Sequence, residues 1–355
     1  MRSAGEAGPT RIYVTDCEGP LTRNDNAQEI AARFIPDGAE FFARLSRYDD
    51  FLADVVRRPG YNAGDTLRLV PPFFKAFYVT DEDVELFSAE HVLLVPQALE
   101  TLDAVSALLP AYIISTSYTP YLRALCAISG FPFEHVRCTE LSLDAWEMPE
   151  EEAAWLRSVV SVVLARPVIE IPDGASSAAD LSPQDQTTVA ELDALFWGWM
   201  DGRVSGEMLA AVHPVGGGQK LAALEEIAAA EGADGGDIMY VGDSITDAPP
   251  LAAVKAWGGA SLSFNGNGYA IAAAEFAAAS PDAEVQAHLA RVFAEGGRDA
   301  VEASVRAWPR PKKGTRARGR ARAAVGLVAE ERVRLADASA AARRSVRGER
   351  VARLG

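Results

Sequence analysis

Two pairs of carboxylates sit at matching places in this chain. Val14-Thr-Asp16-Cys-Glu18-Gly-Pro-Leu-Thr22 sets two acids two positions apart, just past an apolar run. Val241-Gly-Asp243-Ser-Ile-Thr-Asp247 sets two acids four apart, again past an apolar run. On an extended chain the first spacing places Asp16 and Glu18 on one side, and Gly19 lets the chain turn. Each pair alone also has a local reading: a strand-end aspartate closing a turn, or Asp243 capping a helix. Four carboxylates at one sheet edge repel one another unless a cation sits among them. Oxygen ligands with no His or Cys nearby favour Mg²⁺.

Two further segments could serve the same chemistry. Tyr112-Ile-Ile-Ser115-Thr116-Ser117 ends an apolar run in three hydroxyls. A helix beginning near Ser117 to Pro120 accounts for them locally, and leaves Ser115, Thr116 and the following amides able to hold a phosphoryl group. Gly216-Gly-Gly-Gln-Lys220 opens a helix with a lysine where the helix dipole disfavours a cation. A first-turn lysine is ordinarily solvated; here Lys220 could balance phosphate and carboxylate charge. The histidines at 91, 135, 213 and 288 are scattered, and none stands where it would activate a nucleophile.

The elements that must position these groups are short, uninterrupted apolar runs. Arg11–Asp16, Ala111–Ser115 and Ile238–Asp243 read as strands covered on both faces, with Val136–Thr139 and Ala260–Phe264 as weaker candidates. Helical patterns follow each of them. The expected fold is α/β, a Rossmann-like doubly wound parallel sheet, with the site outside the carboxyl ends of the strands. The sheet and its helices would take residues 10–22, 96–139 and 213–300. Residues 23–95 would form a mainly helical cap, and 140–212 a second, mainly helical insertion, since stretches this long rarely stay loose. Within the cap, Arg47, Arg57, Arg58 and Tyr61 are candidates for meeting an anionic substrate. Arg57-Arg58 precedes Pro59-Gly60 and would suit a closing loop, although a solvated helix end is the more ordinary explanation.

At 355 residues and 49% apolar content, the chain can bury a sizeable core and is neither disordered nor collagen-like. Three cysteines without a CxxC pair exclude a disulfide scaffold or zinc knuckle. No run of about 18 apolar residues suggests a membrane span, and Met1 to Arg11 holds no apolar signal region. A reducing cytoplasm is expected. Residues 301–355 carry 15 Lys/Arg against 5 Asp/Glu, leaving 19 against 45 in residues 1–300. So acidic a body is a poor nucleic-acid binder. The basic, Arg/Ala-rich region 301–355 reads as a separate tail opening with Pro309-Arg-Pro-Lys-Lys-Gly-Thr315, its partner unknown. Residues 323–353 could form a charged helix. Such a tail should be mobile or loosely attached, so that deleting 309–355 leaves thermal stability nearly unchanged.

In this order, Asp16-x-Glu18-Gly, Ser115 after an apolar strand, Lys220, and Gly242-Asp243-x-x-x-Asp247 resemble the motifs of the haloacid dehalogenase-like superfamily of phosphohydrolases. The resemblance covers the core strands, about half the chain. Ser261-Leu-Ser-Phe-Asn-Gly-Asn267 resembles the strand and turn that follow in phosphoserine-phosphatase-like members, or is a plain Asn-Gly turn. The first segment, with Asn24-Asp-Asn26 and Ser46-Arg-Tyr-Asp-Asp50, also looks like archaeal energy-converting hydrogenase subunit R proteins. The superfamily resemblance implies phosphoryl transfer from a small phosphorylated metabolite. Asp16 would be the nucleophile and Glu18 the acid and base. Asp16, the Glu18 backbone carbonyl and Asp243 would hold Mg²⁺ with Asp247 in support, and Ser115 and Lys220 would hold phosphoryl oxygens. Glu18 departs from the usual Asp, as in the enolase-phosphatase branch, and Pro20 replaces the usual Thr. The hydrogenase-subunit resemblance and the unusual tail leave a second function open, a non-catalytic accessory or regulatory subunit that keeps the pocket.

Overall fold

The computed structural model of the chain describes residues 10–309 and 323–351. Its strands are β1 (Ile12–Thr15), β2 (Ala111–Tyr118), β3 (Val136–Thr139), β4 (Ile238–Gly242), β5 (Ala260–Phe264), β6 (Phe276–Ala279) and β7 (Ala324–Leu327). They form one sheet in the order β3-β2-β1-β4-β5-β6-β7. Every neighbouring pair is parallel except β6 and β7. The fold is therefore the α/β doubly wound, Rossmann-like one expected. From β1 the chain crosses to β2 on one side and later returns to β4 on the other. That reversal opens a crevice at the carboxyl ends of β1, β2 and β4.

Alternation along the strands builds the layers. Ile12 and Val14 of β1, Tyr112 and Ile114 of β2, and Ile238 and Tyr240 of β4 pack with Leu224 and Ile227 of the helix Gly218–Glu231 and with Leu251 and Val254 of Ala248–Ala256. Tyr13, Ile113, Met239 and Leu262 point to the other face. There they meet helices Ala98–Ser106, Thr119–Ser129 and Glu284–Arg306. Both faces being buried explains why these strands read as continuous apolar runs.

Helices within 26–90 and 150–211 share one apolar core instead of two. Phe41 and Phe73 of the first segment meet edge to face at 4.8 Å, and Phe73 meets Phe196 of the second at 6.3 Å. The two insertions thus brace each other. Phe42, Ser46, Asp49, Asp50, Thr66 and Leu67 of the first face the strand ends.

The region beyond 300 differs from the expectation of a separate tail. The helix Glu284–Arg306 runs through residue 300, and β7 adds an antiparallel edge to β6. From β7 a helix, Val328–Val351, returns along the sheet. Val328 and Leu335 are buried against Ile271 and Ala277, so this segment has its own apolar seam despite its arginines. The linker-like opening 309–315 lies, but for Pro309, outside the described residues, as do 316–322 and 352–355. Cutting the chain after Trp308 would expose the edge of β6 and uncover Phe276, Ile271 and Ala277, which Val325, Leu327, Val328 and Leu335 now cover. At about 1.5–3 kcal/mol per large apolar side chain, Tm should fall by about 5 °C or more, not stay constant. Differential scanning calorimetry of the shortened and full chains checks this.

Candidate active site

Asp16 stands one residue beyond β1, where the backbone leaves the sheet. Its amide still donates to the Val241 carbonyl of β4 at 2.9 Å, so its position is set by the sheet. The Cys17 amide donates to Asp16 Oδ1 at 2.7 Å, and Lys220 Nζ lies 2.9 Å from Oδ2. The chain then folds back through Gly19, whose φ is +106°. A Cβ there would fall 2.2 Å from Asp243 Oδ2, so the glycine is needed both for its backbone conformation and for the approach of the two acidic segments. Pro20 turns its carbonyl to Gln286, which donates to it at 2.9 Å.

Lys220 is fully buried and bridges two carboxylates. Its ammonium is 2.9 Å from Asp16 and donates to Asp247 Oδ1 at 2.7 Å. Burial works against its charge, but the two aspartates more than offset this and raise its pKa. The expectation that Lys220 holds phosphoryl oxygens is not what this geometry displays: its contacts are carboxylates, and it does not line the open cleft. Asp247 is likewise engaged at both oxygens. Tyr240 Oη donates to Oδ1 at 2.8 Å, and the amides of Asp243 and Ser244 donate to Oδ2 at 3.0 and 3.1 Å. Burial disfavours the Asp247 carboxylate, yet Lys220 and these donors hold its pKa below the ordinary value. Asp16 differs. Burial, then the Asp247 charge, push its carboxyl up to about 8 against the pull of Lys220.

Glu18 reaches the amide of Asn26, which donates to its Oε1 at 2.8 Å. Asn26 opens a helix capped by Asp25, whose Oδ1 accepts from Gln28. Burial, then the neighbouring Asp25, push the Glu18 carboxyl up to about 8, against Arg347 and the Asn26 amide. At the end of β2, Ser115 is fully buried and accepts from the Ser117 amide at 3.2 Å. The Thr116 hydroxyl is buried without a hydrogen-bond partner among the described residues, and the Thr116 carbonyl accepts from Thr139 Oγ1 at 2.5 Å. Strand β2 runs on to Tyr118, so the helix starts at Thr119, later than Ser117.

Asp16, Glu18, Ser115, Thr116 and Asp243 converge on one cleft at the crevice. Carboxylate oxygens of Asp16, Asp243 and Asp247 lie within 4.8 Å of one another. This set of hard oxygen donors fits Mg²⁺ or a similar cation. The structure does not bring Arg47, Arg57 or Arg58 to the cleft. Arg47 donates to the Ile169 carbonyl and to Asp50. Arg57 is exposed with φ +47°, and Arg58 stacks over Trp197 at 4.2 Å beside Asp193. In their stead the cap supplies Asp49 and Asp50, and the C-terminal helix supplies Arg343 and Arg347. Arg343 pairs closely with Asp243 Oδ2, and Arg347 Nη1 is 3.0 Å from the same oxygen. Sequence reading missed this pair. The available signal was a stripe at four-residue spacing, Leu335, Ser339, Arg343 and Arg347, which starts apolar and ends basic.

No family model and no curated protein matches the chain. Solved structures do. A gene product of Archaeoglobus fulgidus, AF1437, superposes with a TM-score of 0.82 at 27% identity, over 98% of this chain and 99% of that one. The fold is thus shared over nearly the whole length of both. A phospho-aspartyl intermediate analogue of a phosphoserine phosphatase gives a TM-score of 0.44 at 14% identity, over 75% of this chain and 91% of the other. A substrate-bound phosphoserine phosphatase also gives 0.44, at 13% identity over 76% and 93%. Among the described residues no helix is long and apolar enough to cross a membrane.

Proposed function

We propose that this chain is a Mg²⁺-dependent phosphohydrolase of the haloacid dehalogenase-like type, acting on a small phosphorylated metabolite through an aspartyl-phosphate. One observation carries the reading: Asp16, at the end of the central strand, shares a cleft with Glu18, Asp243 and the Ser115–Thr116 strand end, while Lys220 ties it to Asp247 from below. Asp16, the Glu18 backbone carbonyl and Asp243 would hold the cation, which when bound draws negative charge off the phosphoryl oxygens.

The chain's own residues do the rest. Lys220, with a cation beside Asp16, would hold the Asp16 carboxyl in its charged form against burial, and one of its oxygens attacks phosphorus; an O–P bond forms and the ester P–O bond breaks. Glu18, whose carboxyl burial and Asp25 push toward the protonated form, gives its proton to the leaving oxygen. As a carboxylate it then takes a proton from water, which attacks phosphorus and frees Asp16 and phosphate. Lys220 keeps an Asp16 oxygen in place, and Asp247 fixes Lys220 and the Asp243 loop. Ser115 and the Thr116 hydroxyl, which has no hydrogen-bond partner among the described residues, would receive phosphoryl oxygens.

Phosphate release from a panel of phosphorylated metabolites, with and without Mg²⁺, tests the reaction class. Release that needs Mg²⁺ supports it; no release from any member would favour the accessory-subunit reading. Glu18→Gln keeps the size of the side chain and the backbone carbonyl but loses the transferable proton. Turnover should fall by about 10²–10⁴-fold. Acetyl phosphate has a good leaving group, so the variant should still be phosphorylated and the adduct should persist. Intact-mass measurement would show a stable phosphorylated species in Glu18→Gln and a fleeting one in the unaltered chain. An unchanged turnover would make Glu18 a turn residue.

A further inference from the structure

The cleft is charged with the wrong sign for the ligand just proposed. Asp16, Glu18, Asp25, Asp49, Asp50 and Asp243 line it. Lys220 is spent on Asp16 and Asp247. Among the described residues, the cationic side chains lining the cleft are Arg343 and Arg347. They arrive from outside the sheet proper, on the helix that follows β7.

Their placement is built, not incidental. Leu335 and Ser339 are fully buried two turns and one turn upstream of Arg343, so the same helical face that seats the helix ends in the two arginines. Their side chains are only 5% and 6% exposed. Arg347 is anchored a second time, donating to the carbonyls of Arg23 and Asn24 beside the Glu18 loop. Arg343 also donates to the Asp243 carbonyl at 3.3 Å.

Both guanidinium groups converge on Asp243 Oδ2. Asp243 is also one of the acids whose oxygens cluster for a divalent cation. A cation bound there competes for that oxygen and repels the two guanidinium groups. Guanidinium groups shifted from that oxygen still line the cleft, where an incoming anion would meet them. The planar fork of arginine matches phosphoryl oxygens as well as it matches carboxylates.

We infer that Arg343 and Arg347 are phosphoryl ligands, passing from Asp243 to the substrate's phosphoryl oxygens when the divalent cation binds. This rests on the phosphohydrolase reading, yet it concerns anion binding and can be tested without turnover. Asp243 in this arrangement is a counter-ion that holds the pair in register until the cation takes its place. The helix Val328–Val351 thereby becomes part of the substrate site.

The test is calorimetric titration of inorganic phosphate into the full chain at saturating Mg²⁺. Arg343→Gln with Arg347→Gln should weaken phosphate binding about 10- to 100-fold, as expected for lost charge-assisted pairs. The same variant titrated with Mn²⁺ alone should bind at least as tightly as the unaltered chain, since two competitors for Asp243 are gone. Arg347→Lys keeps the charge and the fold but not the fork, and should lose an intermediate share of phosphate affinity. Unchanged phosphate binding in these variants, or no phosphate binding by the unaltered chain with Mg²⁺, would overturn the inference. So would a gain in turnover at constant KM, which would make the helix an inhibitory plug. Phosphate binding that depends on the arginines, in a chain that hydrolyses no ester, would sink the phosphohydrolase reading and leave this one standing.

Discussion

Lys220→Met should destabilise the chain by about 3–5 kcal/mol and silence turnover at the same time. The ammonium is fully buried between Asp16 at 2.9 Å and Asp247 at 2.7 Å. Methionine fills similar volume, so packing is largely kept and the electrostatic loss is isolated. Breaking a buried ion pair from one side leaves the partner charges uncompensated, which is where the 3–5 kcal/mol comes from. Here two carboxylates are stranded. Asp247 shows the sign of the linkage. Its folded pKa is held below the unfolded value, so its contribution is present at neutral pH and is lost as pH falls through the acid range. Without Lys220 that contribution shrinks at neutral pH. Asp16 suffers the functional loss. Lys220 opposes burial and the Asp247 charge at that carboxyl, so its loss pushes Asp16 further toward the protonated form. A protonated Asp16 is a poor nucleophile. Urea titration and phosphate-release assays on one preparation measure both effects. A variant within about 1 kcal/mol of the unaltered chain would show that the buried triad is not what orders this end of the sheet.

Asp16→Asn should cut turnover by about 10⁶-fold, the scale seen when a nucleophile is removed from a covalent mechanism. The fold should survive. Asparagine keeps the shape, its carbonyl can still accept from the Cys17 amide, and Asp247 still partners Lys220. Thermal unfolding of this variant should therefore stay much closer to the unaltered chain than that of Lys220→Met. That contrast separates the two residues: one is stability and positioning together, the other is chemistry.

The strands that carry the site were readable because they are short apolar runs ending in acid or hydroxyl residues. Ile12–Thr15, Ala111–Tyr118 and Ile238–Gly242 are buried on both faces, and that double burial erases the polar alternation of a half-exposed strand. β6 was not readable. Phe276-Ala-Ala-Ala lacks β-branched residues, and alanine runs favour helix until a neighbouring strand claims their backbone. β7 is four residues long and begins beside an arginine-rich stretch, so composition hid it. Arg343 and Arg347 were hidden for the same reason. In a basic helix the ordinary fate of arginine is solvent, and only the three-dimensional path of the chain shows that one face turns inward. Arg57 and Arg58 illustrate the reverse error. Their place before Pro59-Gly60 suggested a closing loop, but Arg58 is held by Trp197 and Asp193 within the cap. Local charge does not reveal which surface a loop faces.

The central claim is that Asp16 is the phosphoryl acceptor. Fluorine NMR of the full chain with beryllium fluoride, which mimics a phosphoryl group on a carboxylate, tests it most directly. With Mg²⁺ present, the unaltered chain should show a bound, slowly exchanging fluorine resonance. Removing Mg²⁺ should abolish it, and Asp16→Asn should never show it. A bound resonance that survives Asp16→Asn, or one that forms equally well without Mg²⁺, would contradict the account.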